Sequence, residues 1–395
     1  MKNKKIILIA IISNVLFFAG CARHGKPEHN VVLTKASFSR LPGWEKDDHK
    51  QALRVLQRSC AVIAKRDPNK PFSKVMLQSG KVEDWQKICL ASSGLEKKGA
   101  SEARKFFEFW FEPYHVYNNS NPNGLFTGYY LPKLKCNLKR SKRYAFPIYA
   151  IPDDWVKVDL GLFDTSLNGR TFVGQVRDHK LYRYPERKAI ARGAINKKAK
   201  VIAWCDDKID VAFSHIQGSA LVELPNKKQF LIGYEGSNGR SYTALSKVLI
   251  KDNQMTKQNS SMQDIRAWFL ENPEKTESVL DKNASYVFFR ILENSDPLGS
   301  QQVPLTPERS LAVDKRYIPL GVPIWLDTVV PDEATQDFAT FRRLLIAQDT
   351  GGAIRGIVRG DVYWGAGDRA TFIAGHMKSR GEYWILLPRF CDASK

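Results

Sequence analysis

The chain has 395 residues, of which 43% are hydrophobic and 26% charged, enough apolar material for a large folded body and too much for a disordered or fibrous chain. Lys and Arg number 61 against 41 Asp and Glu, a formal charge of +20 that implies an anionic partner or surface. The six cysteines follow no zinc-binding spacing.

At the N-terminus Lys2, Lys4 and Lys5 precede an apolar run from Ile6 to Gly20, broken only by Ser13 and Asn14. Residues 1–20 therefore read as a secretory signal peptide, since a membrane-spanning helix needs roughly 20 apolar residues. Ala19 and Gly20 directly before Cys21 resemble a lipobox, although Phe18 stands where Leu is usual. In that reading Cys21 is diacylated and becomes the mature N-terminus; ordinary cleavage with a soluble product is the alternative. Each buried methylene of such an anchor is worth about 0.8 kcal/mol. Ala22, in place of Asp, resembles outer-membrane sorting, so the expected address is the periplasmic face of the outer membrane. Outside the cytoplasm the anionic partner is not nucleic acid but cell-wall peptide carboxylate or anionic lipid, with the dispersed basic residues at 139–143 and 196–200 mostly solvated.

Residues 21–37 are polar and aperiodic, as expected of a lipidated tether. Helical spacing of apolar residues follows over Asp47–Lys65, Val82–Leu95 and Ser101–Tyr114. Cys60 and Cys89 lie on two of these segments and are the expected disulfide; pairing among Cys136, Cys205 and Cys391 stays open. Beyond Gly128 short β-branched and aromatic runs alternate with turn residues, giving expected strands at Phe146–Ile151, Val201–Cys205, Ala220–Leu224 and Phe230–Tyr234. Met262–Asn283 returns to helical spacing with a break at Asn272-Pro273. Further strands are expected at Val322–Leu326, Leu344–Ala347 and Tyr383–Leu387.

The stretch from Leu345 to Leu387 carries the chemistry. Asp349-Thr350-Gly351-Gly352 precedes Asp361-Val362-Tyr363-Trp364-Gly365, and Asp314 lies upstream in Ala312-Val313-Asp314. Glycines let substrate approach a carboxylate closely, and apolar or like-charged neighbours keep a carboxyl protonated for use as an acid. A single Asp-Gly pair more often caps a turn; three together point to a pocket.

These residues, with Thr127-Gly128-Tyr129-Tyr130-Leu131-Pro132, Tyr184-Pro185-Glu186-Arg187, Trp204-Cys205-Asp206-Asp207, Ile216-Gln217-Gly218-Ser219, Asn238-Gly239-Arg240-Ser241-Tyr242, Asn283-Ala284-Ser285-Tyr286 and Pro304-Leu305-Thr306-Pro307-Glu308-Arg309-Ser310, resemble the membrane-bound lytic murein transglycosylase A family from about Leu125 to Pro388. Glu186 and Ala220 depart from the family pattern, which usually has Thr and Gly there. The resemblance implies a mainly β fold with N-terminal helices: a double-psi β-barrel domain and a second, smaller β-domain separated by a substrate groove. It divides the chain into barrel helices at 38–132, an inserted β-domain at 133–251 and the rest of the barrel at 252–395. It implies cleavage of the β-1,4 bond between N-acetylmuramic acid and N-acetylglucosamine in peptidoglycan, with 1,6-anhydromuramic ends. Asp361 is then the catalytic acid and base, with Asp349 and Asp314 in support. Thr127, Tyr129, Gln217 and Ser219 are implied on the substrate side. No metal or other cofactor is implied; the partners are glycan strands, the membrane through the lipid anchor, and other murein synthases or hydrolases as candidates. Tyr130, Tyr363 and Trp364 are either sugar platforms or core, and His215 is structural. A murein-binding lipoprotein without turnover and a hydrolase of the same bond are the competing readings.

Overall fold

The computed structural model describes residues 30–293, 296–335 and 337–389, so the signal peptide, Cys21 and Cys391 lie outside the described residues. The first strand, β1 (Val31–Lys35), occupies part of the expected tether, because its backbone pairs antiparallel with β2 (Phe111–Asn118). Between them run α1 (His49–Ile63), α2 (Val82–Ser92) and α3 (Ala100–Trp110). The Asp48 carboxylate starts α1 by accepting from the Lys50 and Gln51 N–H groups, at 3.1 and 3.3 Å. Ala52, Leu53, Val55, Leu56 and Ile63 form its buried stripe, and Cys60 is bonded to Cys89 of α2.

The chain continues through β3 (Gly124–Leu131), β4 (Lys133–Asn137), β5 (Phe146–Tyr149), β6 (Trp155–Asp159), β7 (Thr171–Arg177) and β8 (Lys180–Arg183). Then come α4 (Arg187–Ala191), β9 (Val201–Cys205), α5 (Lys208–Gln217), β10 (Ser219–Glu223), β11 (Gln229–Ser237), α6 (Leu245–Lys251), α7 (Met262–Glu271) and α8 (Thr276–Asp281). The last part holds β12 (Val287–Leu292), β13 (Ser310–Val313), β14 (Pro323–Asp332), β15 (Asp337–Asp349), β16 (Arg359–Ala366), α9 (Asp368–His376) and β17 (Lys378–Pro388).

Six of these strands close on themselves in the order β3-β17-β14-β15-β13-β16, with β16 returning to β3. The parallel pairs β3–β16 and β13–β15 within this mixed ring fit the double-psi barrel expected from the resemblance. Closure leaves no open edge inside the ring. All four residues of β13 are buried, as required of a strand covered on both faces. The helices α1–α3 cover one side and share a single apolar core with Trp325, Leu344, Ile346 and Ile385 of the barrel.

Two buried polar devices hold that helix layer in register. Arg309 donates to both oxygens of Asp47 at 2.7 and 2.8 Å, and the Leu344 N–H donates to the same carboxylate at 2.9 Å. Gln348 accepts from Ser310 Oγ at 2.7 Å and donates to Val55 O and Ser59 Oγ of α1 at 3.1 and 2.9 Å.

A second sheet, ordered β12-β11-β10-β4-β9-β5, carries a three-stranded sheet β6-β7-β8 beside it. Cys136 and Cys205 face each other across β4 and β9 and are bonded. The second sheet extends past the boundary expected at Lys251: β12 pairs antiparallel with β11, a non-local pairing that no local sequence pattern signals. Likewise α6, α7 and α8 pack on α5 through Leu249, Phe269, Val279 and Phe213.

Replacing Asp47 with Ala leaves the Arg309 guanidinium buried without its counter-charge. The expected loss, read by urea unfolding, is about 3–5 kcal/mol. A loss under about 1 kcal/mol, the range of exposed pairs, would contradict this account of the helix layer.

Candidate active site

One row of residues crosses four barrel strands. Ala312 of β13 is paired with Asp349 of β15 on one side and with Asp361 of β16 on the other, and Asp361 is paired with Thr127 of β3. Residues directly opposite on neighbouring strands point to the same face, so both carboxylates and the Thr127 hydroxyl project together. Two strand spacings, roughly 10 Å, separate the backbones of Asp349 and Asp361, with Ala312 on the strand between them.

Asp349 reaches this face through a β-bulge. The pairing runs Ser310 with Ile346 and Leu311 with Ala347, then shifts so that Ala312 meets Asp349 and Gln348 is passed over. Without the extra residue Gln348 would occupy the row, because a one-residue slip exchanges the faces of a strand.

Thr127 Oγ1 donates a short hydrogen bond to Asp361 Oδ1 and accepts one from Arg359 Nη2 at 2.8 Å. Among the described residues no donor or acceptor is bonded to Asp361 Oδ2. Asp349 is held differently. Its Oδ2 accepts from the Tyr129 hydroxyl at 2.8 Å, and its Oδ1 accepts from Ser300 N and Oγ, both at 2.9 Å, and from Thr350 N at 2.8 Å. The Tyr129 ring leans on Tyr363, centroids 5.2 Å apart, in a small cluster with Ala312, Leu305 and Ile354. Gly128 between Thr127 and Tyr129 is needed for packing: a Cβ there would lie 2.6 Å from the Trp364 ring and 2.9 Å from Ala374 Cα.

Burial raises the Asp361 pKa above the ordinary carboxylate value, opposed by Arg359 and the Thr127 hydrogen bond and assisted by the charge of Asp349. Burial also raises Asp349, against the bonds from Ser300, Thr350 and Tyr129. Desolvation pushes the Tyr129 hydroxyl well above its usual value, so it stays a donor. The pair thus consists of one well-solvated-by-protein carboxylate and one with an open oxygen, an arrangement suited to dividing anion and acid roles.

Asp314 lies elsewhere. Burial alone would raise its pKa, but Arg316, with Nε at 2.9 Å and Nη2 at 2.5 Å, and the Gly356 N–H at 2.9 Å hold it low. Its bonds brace the turn between β15 and β16, and among the described residues none joins it to the other two aspartates. Gln217 ends α5, where its Oε1 accepts from the Tyr130 N–H at 3.0 Å and so couples the second sheet's helix to β3. Ser219 is buried at the start of β10, and among the described residues no bond joins it to the aspartate row. Tyr130, Tyr363 and Trp364 are buried packing residues. His215 is buried against Arg187, whose Nη2 lies 3.1 Å from Nδ1.

Sequence reasoning missed Arg359 and Ser300, and quoted Thr350 and Ala312 within motifs without giving them a role. Arg359 had a signal, since it precedes Asp361 by two residues and so shares its strand face. Ser300 arrives from a loop and had none.

Two family models match the chain: the "MltA specific insert domain" over residues 125–290 and the "3D domain" over residues 309–387. A membrane-bound lytic murein transglycosylase A homolog of Buchnera aphidicola is 32% identical over 66% of this chain and 65% of its own length. That of Vibrio cholerae is 30% identical over 67% of this chain, again spanning about 65% of the relative. The solved structure of MltA from Neisseria gonorrhoeae superposes with a TM-score of 0.75 at 32% identity, covering 91% of this chain and 93% of that one. The membrane-bound lytic murein transglycosylase of Agrobacterium tumefaciens gives 0.80 at 28% identity, over 90% and 98%. The chain belongs to the membrane-bound lytic murein transglycosylase A family.

Because the folded-state pKa of Asp361 is raised, ionising it costs stability: the penalty is absent below the unfolded value near about 4 and complete above the raised value. Asp361→Asn lacks that penalty. Urea unfolding is therefore expected to show the variant gaining on the wild type as pH rises from about 4 to 7. A variant that loses ground over this range would contradict the raised pKa.

Proposed function

We propose that this chain is a peptidoglycan lytic transglycosylase that cleaves the β-1,4 bond from N-acetylmuramic acid to N-acetylglucosamine with Asp361 as its single general acid and base. The observation that carries the reading is the open Oδ2 of a carboxyl with a raised pKa, beside a saturated second carboxylate, in the family's motif. Protonated Asp361 donates to the glycosidic oxygen as the muramoyl C1–O bond breaks, and the N-acetylglucosamine leaves as an alcohol. The sugar's own N-acetyl oxygen shares the positive charge at C1. The muramoyl C6 hydroxyl then attacks C1 and returns its proton to Asp361, closing the 1,6-anhydro ring without consuming water.

The other polar groups have roles that follow from their bonds. Thr127, held by Arg359, fixes Asp361 Oδ1 and leaves Oδ2 to face the scissile oxygen. Asp349 keeps a negative charge near the developing cation and raises the pKa of Asp361. Its four accepted hydrogen bonds make it a poor base for water, which weighs against hydrolysis. Asp314 positions the turn carrying the β16 entry, and Gln217 holds the strand of Thr127 and Tyr129 through the Tyr130 N–H. Cys21 carries the lipid anchor on the periplasmic face of the outer membrane in this reading; incorporation of labelled palmitate that Cys21→Ala abolishes is the expected result, and unchanged labelling would contradict it.

Incubation of the purified protein with murein sacculi is expected to release muropeptides lighter by one water than reducing-end products, in the presence of EDTA. Asp361→Asn should lower turnover by at least about 10²–10⁴-fold, since one group serves both proton transfers. Asp349→Asn removes the charge that raises Asp361, so the alkaline limb of its pH–rate profile should move to lower pH. Reducing muramic ends, or an Asp361→Asn variant with more than about a tenth of wild-type turnover, would overturn the proposal.

A further inference from the structure

The three-stranded sheet β6-β7-β8 packs on the rest of its domain through one face. Trp155 and Val173 turn inward onto the cluster of Tyr149, Tyr184 and Phe288, and Gln175 on the same side is buried. The outward face of such an antiparallel sheet is ordinarily polar. Here it is apolar. The register sets Val158 opposite Phe172, Val156 opposite Gly174 and Val176 opposite Leu181, and residues directly opposite share a face.

This patch is continuous and open. Phe172, Val176 and Leu181 are 60%, 54% and 45% exposed. A Cβ on Gly174 would lie 2.8 Å from Leu181 Cδ1, so Leu181 reaches across β7 between Phe172 and Val176. None of these side chains joins a packed core among the described residues. The connection from β6 to β7 adds Leu162 and Phe163, 84% and 79% exposed, the highest values of any large hydrophobic side chain described. A contiguous apolar surface of this kind marks an interaction site.

Its charges have one sign. Arg183 stands in the row of Val156 and Gly174, and Arg170 lies two residues before Phe172; among the described residues no ion pair engages either. Residues 155–200 hold eleven Lys and Arg against four acids, so the surroundings are cationic as well. Three of those acids are occupied: Glu186 is 3.2 Å from Arg240, and Asp159 and Asp164 accept from the Gly161 and Ser166 N–H groups.

That combination selects among occupants. A second copy docked face to face would set Arg183 against a patch whose rows hold no carboxylate. Sugar hydroxyls would meet valines and leucines in place of hydrogen-bonding side chains. An anionic phospholipid surface offers both an apolar layer and negative headgroups.

We propose that the outward face of β6-β7-β8 lies on an anionic phospholipid surface, with Leu162 and Phe163 entering the acyl boundary and Arg170 and Arg183 meeting headgroup phosphates. The Cys21 anchor of the functional reading says where that membrane is. Cys21 lies ten residues before Val31 of β1, a span of at most about 35 Å, so an anchored chain keeps its folded body beside the bilayer. The second contact then holds the body in one orientation.

The test uses the chain from Ala22 onward, which keeps every described residue and lacks the lipid. It is sedimented at low salt with vesicles of phosphatidylcholine, alone or mixed with phosphatidylglycerol. Binding to the mixed vesicles should be about tenfold tighter or more. Leu162→Ser/Phe163→Ser should weaken it by about tenfold or more. Arg170→Gln/Arg183→Gln should do the same, each basic residue near an anionic surface being worth about fivefold. All four side chains are exposed, so the melting temperature and the digestion of murein sacculi should stay at wild-type values. Phe163→Ser alone serves if a double variant fails to fold. Absence of binding to either vesicle would overturn the proposal. So would loss with the arginine pair but none with the Leu162/Phe163 pair, which leaves only the diffuse positive charge of the chain. Self-association that Phe163→Ser abolishes, without vesicle binding, would overturn it in favour of a second copy. The anchor is read separately: failed palmitate labelling beside intact vesicle binding removes Cys21 alone, and intact murein turnover beside absent vesicle binding removes the docking face alone.

Discussion

One extra residue in β15 decides where the second carboxylate of the site stands. The bulge between Leu311 and Ala312 passes over Gln348 and sets Asp349 opposite Ala312, hence on the face of Asp361 and Thr127. Gln348 itself is turned the other way and fully buried, bonded to Ser310 and to Val55 and Ser59 of α1. The helix layer thus fixes the bulge, and the bulge fixes the aspartate row. The Asp47–Arg309 pair, which also holds the Leu344 N–H, anchors the same strand a few residues earlier.

Given that row, the two carboxylates diverge through their partners rather than their depth. Both are raised by desolvation, but Asp349 receives four hydrogen bonds and Asp361 receives one. Four donors substitute for water around an anion; one donor orients a carboxyl while leaving an oxygen to exchange a proton. Ala312 matters for what it lacks. A larger residue there would crowd the Tyr129, Leu305, Ile354 and Tyr363 side chains that pack on it.

Much of this was legible in the sequence. Helical spacing located α1, α2 and α3, and the Cys60–Cys89 bond followed from it. β9 and the helix break at Asn272-Pro273 coincide with the expected positions, since turn residues bound them closely. The aspartates and Thr127-Gly128-Tyr129 stood out through motif order. What sequence did not reveal depends on pairing between distant segments: β12 joining β11, β1 emerging from the supposed tether, and Ser300 bonding to Asp349. The bulge is of the same kind, because Ala-Gln-Asp at 347–349 reads as ordinary strand until its partner is known. Asp314 shows the converse, a conspicuous motif residue whose bonds to Arg316 and Gly356 make it a brace.

The central claim is that burial and the charge of Asp349 raise the Asp361 carboxyl above the ordinary carboxylate range. Its side-chain carbon, observed by NMR in protein labelled at aspartate carboxyls and assigned by its absence in Asp361→Asn, reports this directly. The account predicts a titration midpoint clearly above the ordinary aspartate value near about 3.9, moving down when Asp349 is replaced by Asn. A midpoint at or below the ordinary value, or one indifferent to Asp349, would contradict it.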